Sequence, residues 1–501
     1  MKFLGMACSV LAVATAGAVD VSAWRGESLF FTFKATNATG RTVFFKPRLE
    51  GLPDGWSAKA GYLREVKFVK VAQGSEFSAS RDWVCWDDSE ELPAGEVREV
   101  ACEIKVPAAA KAGAYALRLA DAPVNLRVVD RVLPPPKEWR YYLDLWQHPW
   151  AVARFNDVKP FSKEHYDAMR PLWRELADAG QKAITATVTK LPWNHQCYDG
   201  YDSMIGRTRR ADGSWAFDYS LFDEYVAFCL DCGLGPYITC YTMCPWKYVV
   251  YWRDADGREQ KGAAKPGTPF FAEFWKPFLV DFQKHLSEKG WLDHTCIAMD
   301  ERGPEDLKAI ARLLKETGSK LKVSMAGNMD PENFRDLTFD IYSQYVEYVT
   351  PKFLESVRAR REKGLVTTFY VCCVPMKPNT FMASAPAEAF WLGAYPAAVG
   401  LDGFLRWAYN SWWVDPRHDA SYGNWASGDT FLVYPDNRPS RRFLELKNGI
   451  QASEKFRLLR EAGGRDAELD AVAKLYDYLQ AKPEATDLEP IRRATVETLN
   501  R

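Results

Sequence analysis

Several common functional signatures are missing from this 501-residue chain. Histidine is scarce, six in all. No H-x-H or HExxH spacing occurs, so no catalytic metal is expected. No G-x-S-x-G elbow is present, which disfavours a serine hydrolase. Charge of one sign is also lacking. Lys+Arg total 65 and Asp+Glu total 66, for a formal net charge of -1. Nothing therefore draws the protein electrostatically to nucleic acid or anionic membranes. After the first residues, no apolar run is long and charge-free enough to span a bilayer.

The chain does have a leader-like start. "MKFLGMACSVLAVATAGA" places Lys2 before an apolar stretch, followed by Ala16-Gly17-Ala18. This pattern reads as a signal peptide over residues 1–18 and predicts an exported protein, periplasmic or secreted, starting near Val19. Export permits disulfides, but a chain of this length does not need them. The "CLDC" pair (Cys229, Cys232), followed by Cys240 and Cys244, has a zinc-like look. The first pair falls on an amphipathic helix and the second on a buried strand, so buried thiols are the better reading. Cys372-Cys373 lies in another strand and reads the same way. Aromatic residues are plentiful, 14% of the chain. They fill large cores and also serve as platforms for sugar rings.

Residues 19–131 alternate apolar and polar positions in short runs such as "SLFFTFKAT" and "VREVACEIKVP", separated by turn-rich stretches. This predicts a β-sandwich. "VLPPPKEW" at 132–139 is a stiff linker. Over 140–438 strand and helix patterns alternate. Strands are expected at 141–148, 183–189, 236–243, 295–300, 322–327, 340–346, 366–373 and 403–410, with a weakly helical connection after the fifth. Eight such units match a (β/α)8 TIM barrel. A doubly wound open sheet is the alternative, but "LWQHPW" stands where its glycine-rich loop should follow the first strand. Residues 439–501 are helical, and their charges read as solvated faces.

Catalytic groups of a barrel lie at the C-terminal ends of its strands. Those ends collect Asp144, Trp146 and His148 from the first unit, and Trp193, His195 and Gln196 from the second. Tyr241 comes from the third, with Trp246 after it. The fourth gives Asp300 and Glu301, and the fifth Asn328. The sixth gives Tyr342, Gln344 and Tyr345. The eighth gives Trp407, Tyr409, Asn410, Trp412 and Trp413. Carboxylates, amides and rings with few cations suit a neutral polyhydroxylated ligand, not phosphate. No cofactor is implied. Asp144, mid-strand, is equally readable as a buried, hydrogen-bonded carboxylate.

"CIAMDERG" sets two carboxylates side by side where a strand ends. Ordinary glycosidases need two carboxyls about 5–9.5 Å apart on opposite sides of the scissile bond. Neighbours on an extended strand diverge and are poorly placed for that. They suit a substrate-assisted reaction, in which one protonates the leaving group and the other holds a 2-acetamido group. Close like charges also raise one pKa.

The segments "YYLDLWQHPWAVARF", "GQKAITATVTKLPWNHQCYDGYDSMI", "IAMDERGPEDL" and "GFLRWAYNSWWVDPRHDA" carry a resemblance. So does "GDTFLVYPDNRPSRRFLELKNGIQASEKFRLL". Together they resemble glycoside hydrolase family 123, of the β-N-acetylgalactosaminidase type, over most of 140–460. The resemblance implies a sandwich, a barrel and a helical tail. It also implies a retaining mechanism on terminal 2-acetamido sugars of glycans or glycolipids, with Glu301 as general acid/base and Asp300 orienting the acetamido group. Two alternatives stand beside it. One is a conventional pair of Glu301 with Asp402 or Asp415. The other is a glycan-binding protein without catalysis.

Overall fold

Strand alternation in the first region builds two facing sheets. The structure, a computed structural model, describes residues 13–14, 18–69, 77–120, 122–194, 196–334, 336–421, 423, 425–478 and 482–501. The expected leader falls outside this set except for residues 13, 14 and 18, and His195 also falls outside it. One sheet runs in the order Val13–Ala14, Ser28–Asn37, Val97–Lys105, Ser57–Val69, Phe77–Trp86. The other runs Val19–Arg25, Ala122–Val132, Gly113–Leu119, Leu49–Glu50. In Ala122–Val132 the inward residues Val124, Leu126 and Val128 are buried while Pro123, Asn125 and Arg127 between them are exposed. They meet Phe31, Tyr62, Val100 and Ile104 of the other sheet in a shared core.

The second region is a parallel barrel. Its strands are β1 (Tyr142–Leu145), β2 (Ala183–Thr187), β3 (Tyr237–Tyr241), β4 (Thr295–Asp300), β5 (Lys322–Gly327), β6 (Ile341–Tyr345), β7 (Val366–Tyr370) and β8 (Gly403–Arg406). Hydrogen-bonded neighbours follow the order β1-β8-β7-β6-β5-β4-β3-β2. The seam between β1 and β2 has one backbone bridge, Leu143 to Gln181. Side-chain amides supply the rest. Gln181 Oε1 accepts from Leu145 N at 3.0 Å, and its Nε2 donates to Leu145 O at 3.1 Å. Gln147 Oε1 accepts from Thr185 N at 2.8 Å. Glutamine thus replaces the ladder that the tilt of the strands pulls apart.

Helices follow seven of the eight strands, and β5 is followed only by the short turn Pro331–Asn333. Ser162, Thr268, Thr350 and Ser440 cap helices by accepting a backbone N–H from the first turn. The loops after β2 and β3 carry an unexpected small sheet, ordered Trp215–Asp218, Gly206–Arg209, Val249–Arg253, Glu259–Ala263. Its runs, four or five residues each, are too short to read as strands in sequence. Arg207 pins this sheet to the barrel. Its guanidinium sits 3.9 Å from the Phe278 ring centroid and 4.4 Å from that of Trp275, and it donates to Val188 O at 3.1 Å.

After β8 comes a long loop and then helix Arg441–Ala462, which packs against helix Pro386–Val399. Gly393 and Gly449 permit the close approach. A Cβ on Gly449 would lie 2.1 Å from Phe390 O. The charges of Arg441–Ala462 are not all solvated as expected. Arg442, Glu445, Lys447, Glu454 and Lys455 are buried. The three cations meet acids supplied by the sandwich, while Glu445 pairs with Arg492 of the last helix and Glu454 pairs with Arg457 and accepts from Tyr141 N. Arg442 pairs with Asp82 at 2.9 Å, Lys447 with Glu103 at 3.1 Å, and Lys455 with Glu27. Asn448 and Gln451, one turn apart, bond the exposed backbone edge at Phe30 and Ser28. This helix therefore joins the sandwich to the barrel along its length.

Candidate active site

β4 is an apolar run that ends at Asp300. The ladder continues one residue further, because Glu301 N donates to Ala326 O at 2.9 Å. Then the chain turns sharply, with Glu301 at φ +48°. A non-glycine residue there costs about 1–2 kcal/mol. The turn has a chemical consequence. Side chains that would diverge on an extended strand instead line one pocket together.

That pocket lies at the C-terminal ends of the strands. Around Asp300 and Glu301 stand Trp146, Gln196, Trp246, Tyr370, Trp407 and Trp425, with Cys372 and Cys373 on the β7 side. It holds a volume of about 120 Å³. Among the described lining residues, Asp300 and Glu301 are the only carboxylates.

Each carboxylate has a fixed donor. Trp246 Nε1 donates to Asp300 Oδ2 at 3.1 Å. The Arg302 guanidinium lies 4.4 Å from the Trp246 ring and holds that indole in place. Tyr370 OH donates to Glu301 Oε1 at 2.6 Å. Burial, and then the Glu301 charge, push the Asp300 pKa up to about 7, against the Trp246 hydrogen bond and the Arg302 charge. Asp300 is half-buried and Glu301 is exposed. One carboxyl thus sits deep and the other at the mouth.

Aromatic layers support the floor and wall. Trp146 stacks on Trp193 with centroids 5.2 Å apart, and Tyr241 packs beneath both. Trp407 faces Trp425 at 5.5 Å, and its indole donates to Asp429 at 3.3 Å. Asp429 is bound to Arg406 at 2.8 Å, both fully buried.

Other residues expected on the rim lie elsewhere. His148 is buried, its Nε2 is 3.1 Å from Trp407 O, and burial lowers its pKa to about 4. Asn410 bonds both N and O of His148. Tyr342 OH donates to Met329 O behind the β5 loop. Gln344 is buried, and Tyr345 packs on Tyr370 one layer out. Asn328 is exposed and does not line the pocket. Tyr409 donates to Leu172 O and Trp412 to Val433 O, both in the core. Trp413 is exposed and meets Tyr198 edge-on at 4.7 Å. Asp144 is buried in the barrel, and burial raises its pKa to about 7. The four spaced cysteines are all buried, and no cluster of three or more metal-ligating side chains occurs among the described residues.

The sequence model "Glycoside hydrolase 123, catalytic domain" matches residues 146–459. The chain belongs to glycoside hydrolase family 123. A family 123 glycoside hydrolase from Clostridium perfringens, solved for glycolipid glycan hydrolysis, is 25% identical. It superimposes with a TM-score of 0.86 over 97% of this chain and 93% of its own. A calcium-binding mutant of Bacteroides uniformis beta-glucuronidase 2 is 12% identical, with a TM-score of 0.32 over 85% of this chain and 48% of its own. No curated protein is matched by the sequence.

Family 123 membership makes the chain a glycoside hydrolase, and the two alternative carboxylate partners do not reach this pocket. Asp402 precedes β8, at the opposite end of the barrel, where it binds Arg361 at 2.7 Å and Thr367 N at 2.7 Å. Asp415 is held by Arg417 and His418 in the β8 loop and does not line the pocket. Sequence reasoning overlooked Tyr370 and Trp425. Tyr370 was accessible to the same strand-end logic, since it closes β7, a strand from which no rim residue was taken. Trp425 lies on the long loop after β8, where no periodicity points to it.

Proposed function

We propose that this glycosidase is an exo-acting β-N-acetylgalactosaminidase that lets the substrate supply its own nucleophile. One observation carries the reading. Among the described residues of the pocket wall, the only carboxylates are sequence neighbours, so none of these faces them across a bound sugar. The acetamido N–H of a terminal 2-acetamido sugar donates to Asp300. The acetamido carbonyl oxygen attacks C1, and Glu301 gives its proton to the departing glycosidic oxygen. Water then opens the cyclised intermediate, with Glu301 taking a proton back, and the anomeric configuration is retained. Position supports these roles. Glu301 is the outer carboxyl, where the leaving group of an exo enzyme emerges, and Asp300 is the inner one. Neutral Tyr370 and the Trp246 indole orient the pair. The preference for galacto configuration comes from the family resemblance.

A panel of aryl β-glycosides differing only at C2 and C4 tests the reading. Turnover of 2-acetamido substrates is expected, with none for the 2-hydroxy counterparts. Equal turnover of both would refute it, and sugar binding without any turnover would return the protein to a binding role. A thiazoline mimic of the cyclised intermediate should inhibit tightly. The Clostridium perfringens relative supports glycolipid glycans as substrates. The leader pattern supports export, which N-terminal sequencing of the mature protein would check through a start near Val19.

A further inference from the structure

Of the ten described cysteines, eight are buried. Cys372 and Cys373 are the exceptions. Both are half-exposed and both line the catalytic pocket. Their sulfurs lie 3.9 Å apart, within sulfur hydrogen-bond range. They follow β7 directly, on the side of the pocket where Tyr370 holds Glu301.

The pair cannot retreat from the pocket. Asn379 Nδ2 donates to Cys372 O at 2.9 Å and to Pro375 O at 2.7 Å. Asn379 Oδ1 accepts from buried Arg406, which is itself locked to Asp429. Cys372 N also bonds Val374 O. The segment carrying the thiols is thus a stiff loop on a buried ionic anchor, and any group added to sulfur must project into the space the sugar needs.

We propose that the Cys372–Cys373 dithiol is a modification site for low-molecular-weight disulfides, which attach at Cys373 and close the sugar pocket. The Cys373 thiolate attacks one sulfur of the reagent. A mixed disulfide forms, the reagent's S–S bond breaks, and one thiolate leaves. Attack by Cys372 on the Cys373 sulfur then expels the second thiolate, so that two protein thiols are oxidised and one small disulfide is reduced to two thiols. Adjacent residues have Cα atoms only about 3.8 Å apart, below the usual disulfide range of about 4.4–6.8 Å. The ring closed by the second step is therefore strained and readily reduced, so the mixed disulfide, whose added group fills the pocket, is the blocking form. Donation from the Cys372 S–H favours the Cys373 thiolate, and burial, Asp429 and Glu301 oppose it. The proposal rests on the pocket being the sugar site.

The test uses the full chain and glutathione disulfide. Peptide mass spectrometry is run beside turnover of an aryl 2-acetamido glycoside, with and without a saturating 2-acetamido sugar. One glutathionyl group on Cys373 is expected, in preference to the loss of two hydrogens across the pair. Turnover should fall in proportion and return with dithiothreitol, and bound sugar should slow the reaction. In Cys373→Ser the ratio of treated to untreated activity should approach one, each protein being its own reference. An unmodified pair, or full modification with unchanged turnover, would overturn the proposal. If the untreated protein turns over no aryl glycoside, the proposed function fails, while adduct formation and its suppression by sugar still decide the modification.

Discussion

Asp300→Asn removes a charge and leaves the shape of the side chain almost unchanged, so its effects can be worked out in advance. Burial and Glu301 lift the Asp300 pKa from the usual 3.8 to about 7. A rise of roughly three units corresponds to ~4 kcal/mol at about 1.4 kcal/mol per unit. The carboxyl is only half-buried, and water in the pocket screens it, so about 1–2 kcal/mol is the realistic effect. The sign follows from proton linkage. The folded protein holds this proton more tightly than the unfolded chain does. The group's favourable contribution is therefore complete below about pH 4, declines as pH rises, and is lost once pH passes about 7. The asparagine variant has no such decline. Urea unfolding should show it more stable than the parent by about 1–2 kcal/mol near pH 8, and by roughly a third of that near pH 5. Turnover should meanwhile fall by orders of magnitude, so the variant gains stability as it loses function. A variant less stable than the parent at pH 8, or a difference independent of pH, would refute the reasoning.

Four further outcomes are expected. Because ionised Asp300 must accept the acetamido N–H, kcat/KM should fall as pH drops through about 7, and a pH profile flat across that range would contradict the role. Glu301→Gln should cost about 10²–10⁴-fold with a poor leaving group and far less with a dinitrophenyl one, which needs no proton; equal losses on both would exclude Glu301 as the acid. Tyr370→Phe removes a hydrogen bond to a charged group worth about 1.5–3 kcal/mol, so kcat should drop roughly 10- to 100-fold with little change in KM. Asp82→Ala leaves Arg442 buried without its carboxylate and should lower unfolding stability by about 3–5 kcal/mol, measured by urea titration.

The barrel was readable because its strands are buried on both faces and so appear as short apolar runs, such as Ala183–Thr187 and Thr295–Asp300. Their ends were less readable. The eighth run looks extended to Asn410, yet the strand stops at Arg406, and the chain then turns Tyr409 and Trp412 into the core. An aromatic residue has the same pattern on a rim or in a core, so composition could not separate Trp407 from Trp412. The carboxylate pair stood out by position, but the left-handed turn that aims both groups into one pocket did not. Glutamate has no special preference for that conformation, and tertiary packing imposes it. The buried cations Arg442, Lys447 and Lys455 of Arg441–Ala462 looked solvated because their partners come from the sandwich. Lys447 meets Glu103 across 344 positions of sequence.

The meeting of strand Val19–Arg25 with the last helix adds a constraint in time. Trp24 Nε1 donates to Leu499 O at 3.1 Å across 475 positions. Asn500 bonds the backbone and hydroxyl oxygens of Ser22 and accepts from Lys455. During synthesis the sandwich leaves the ribosome hundreds of residues before these partners exist, and domains generally fold as they emerge. Until then the sandwich must keep Glu27, Asp82 and Glu103, acids destined for burial, facing water. Its union with the barrel is a late event in the life of the chain, and a nascent chain cut before helix Arg441–Ala462 would present that acidic face unmatched.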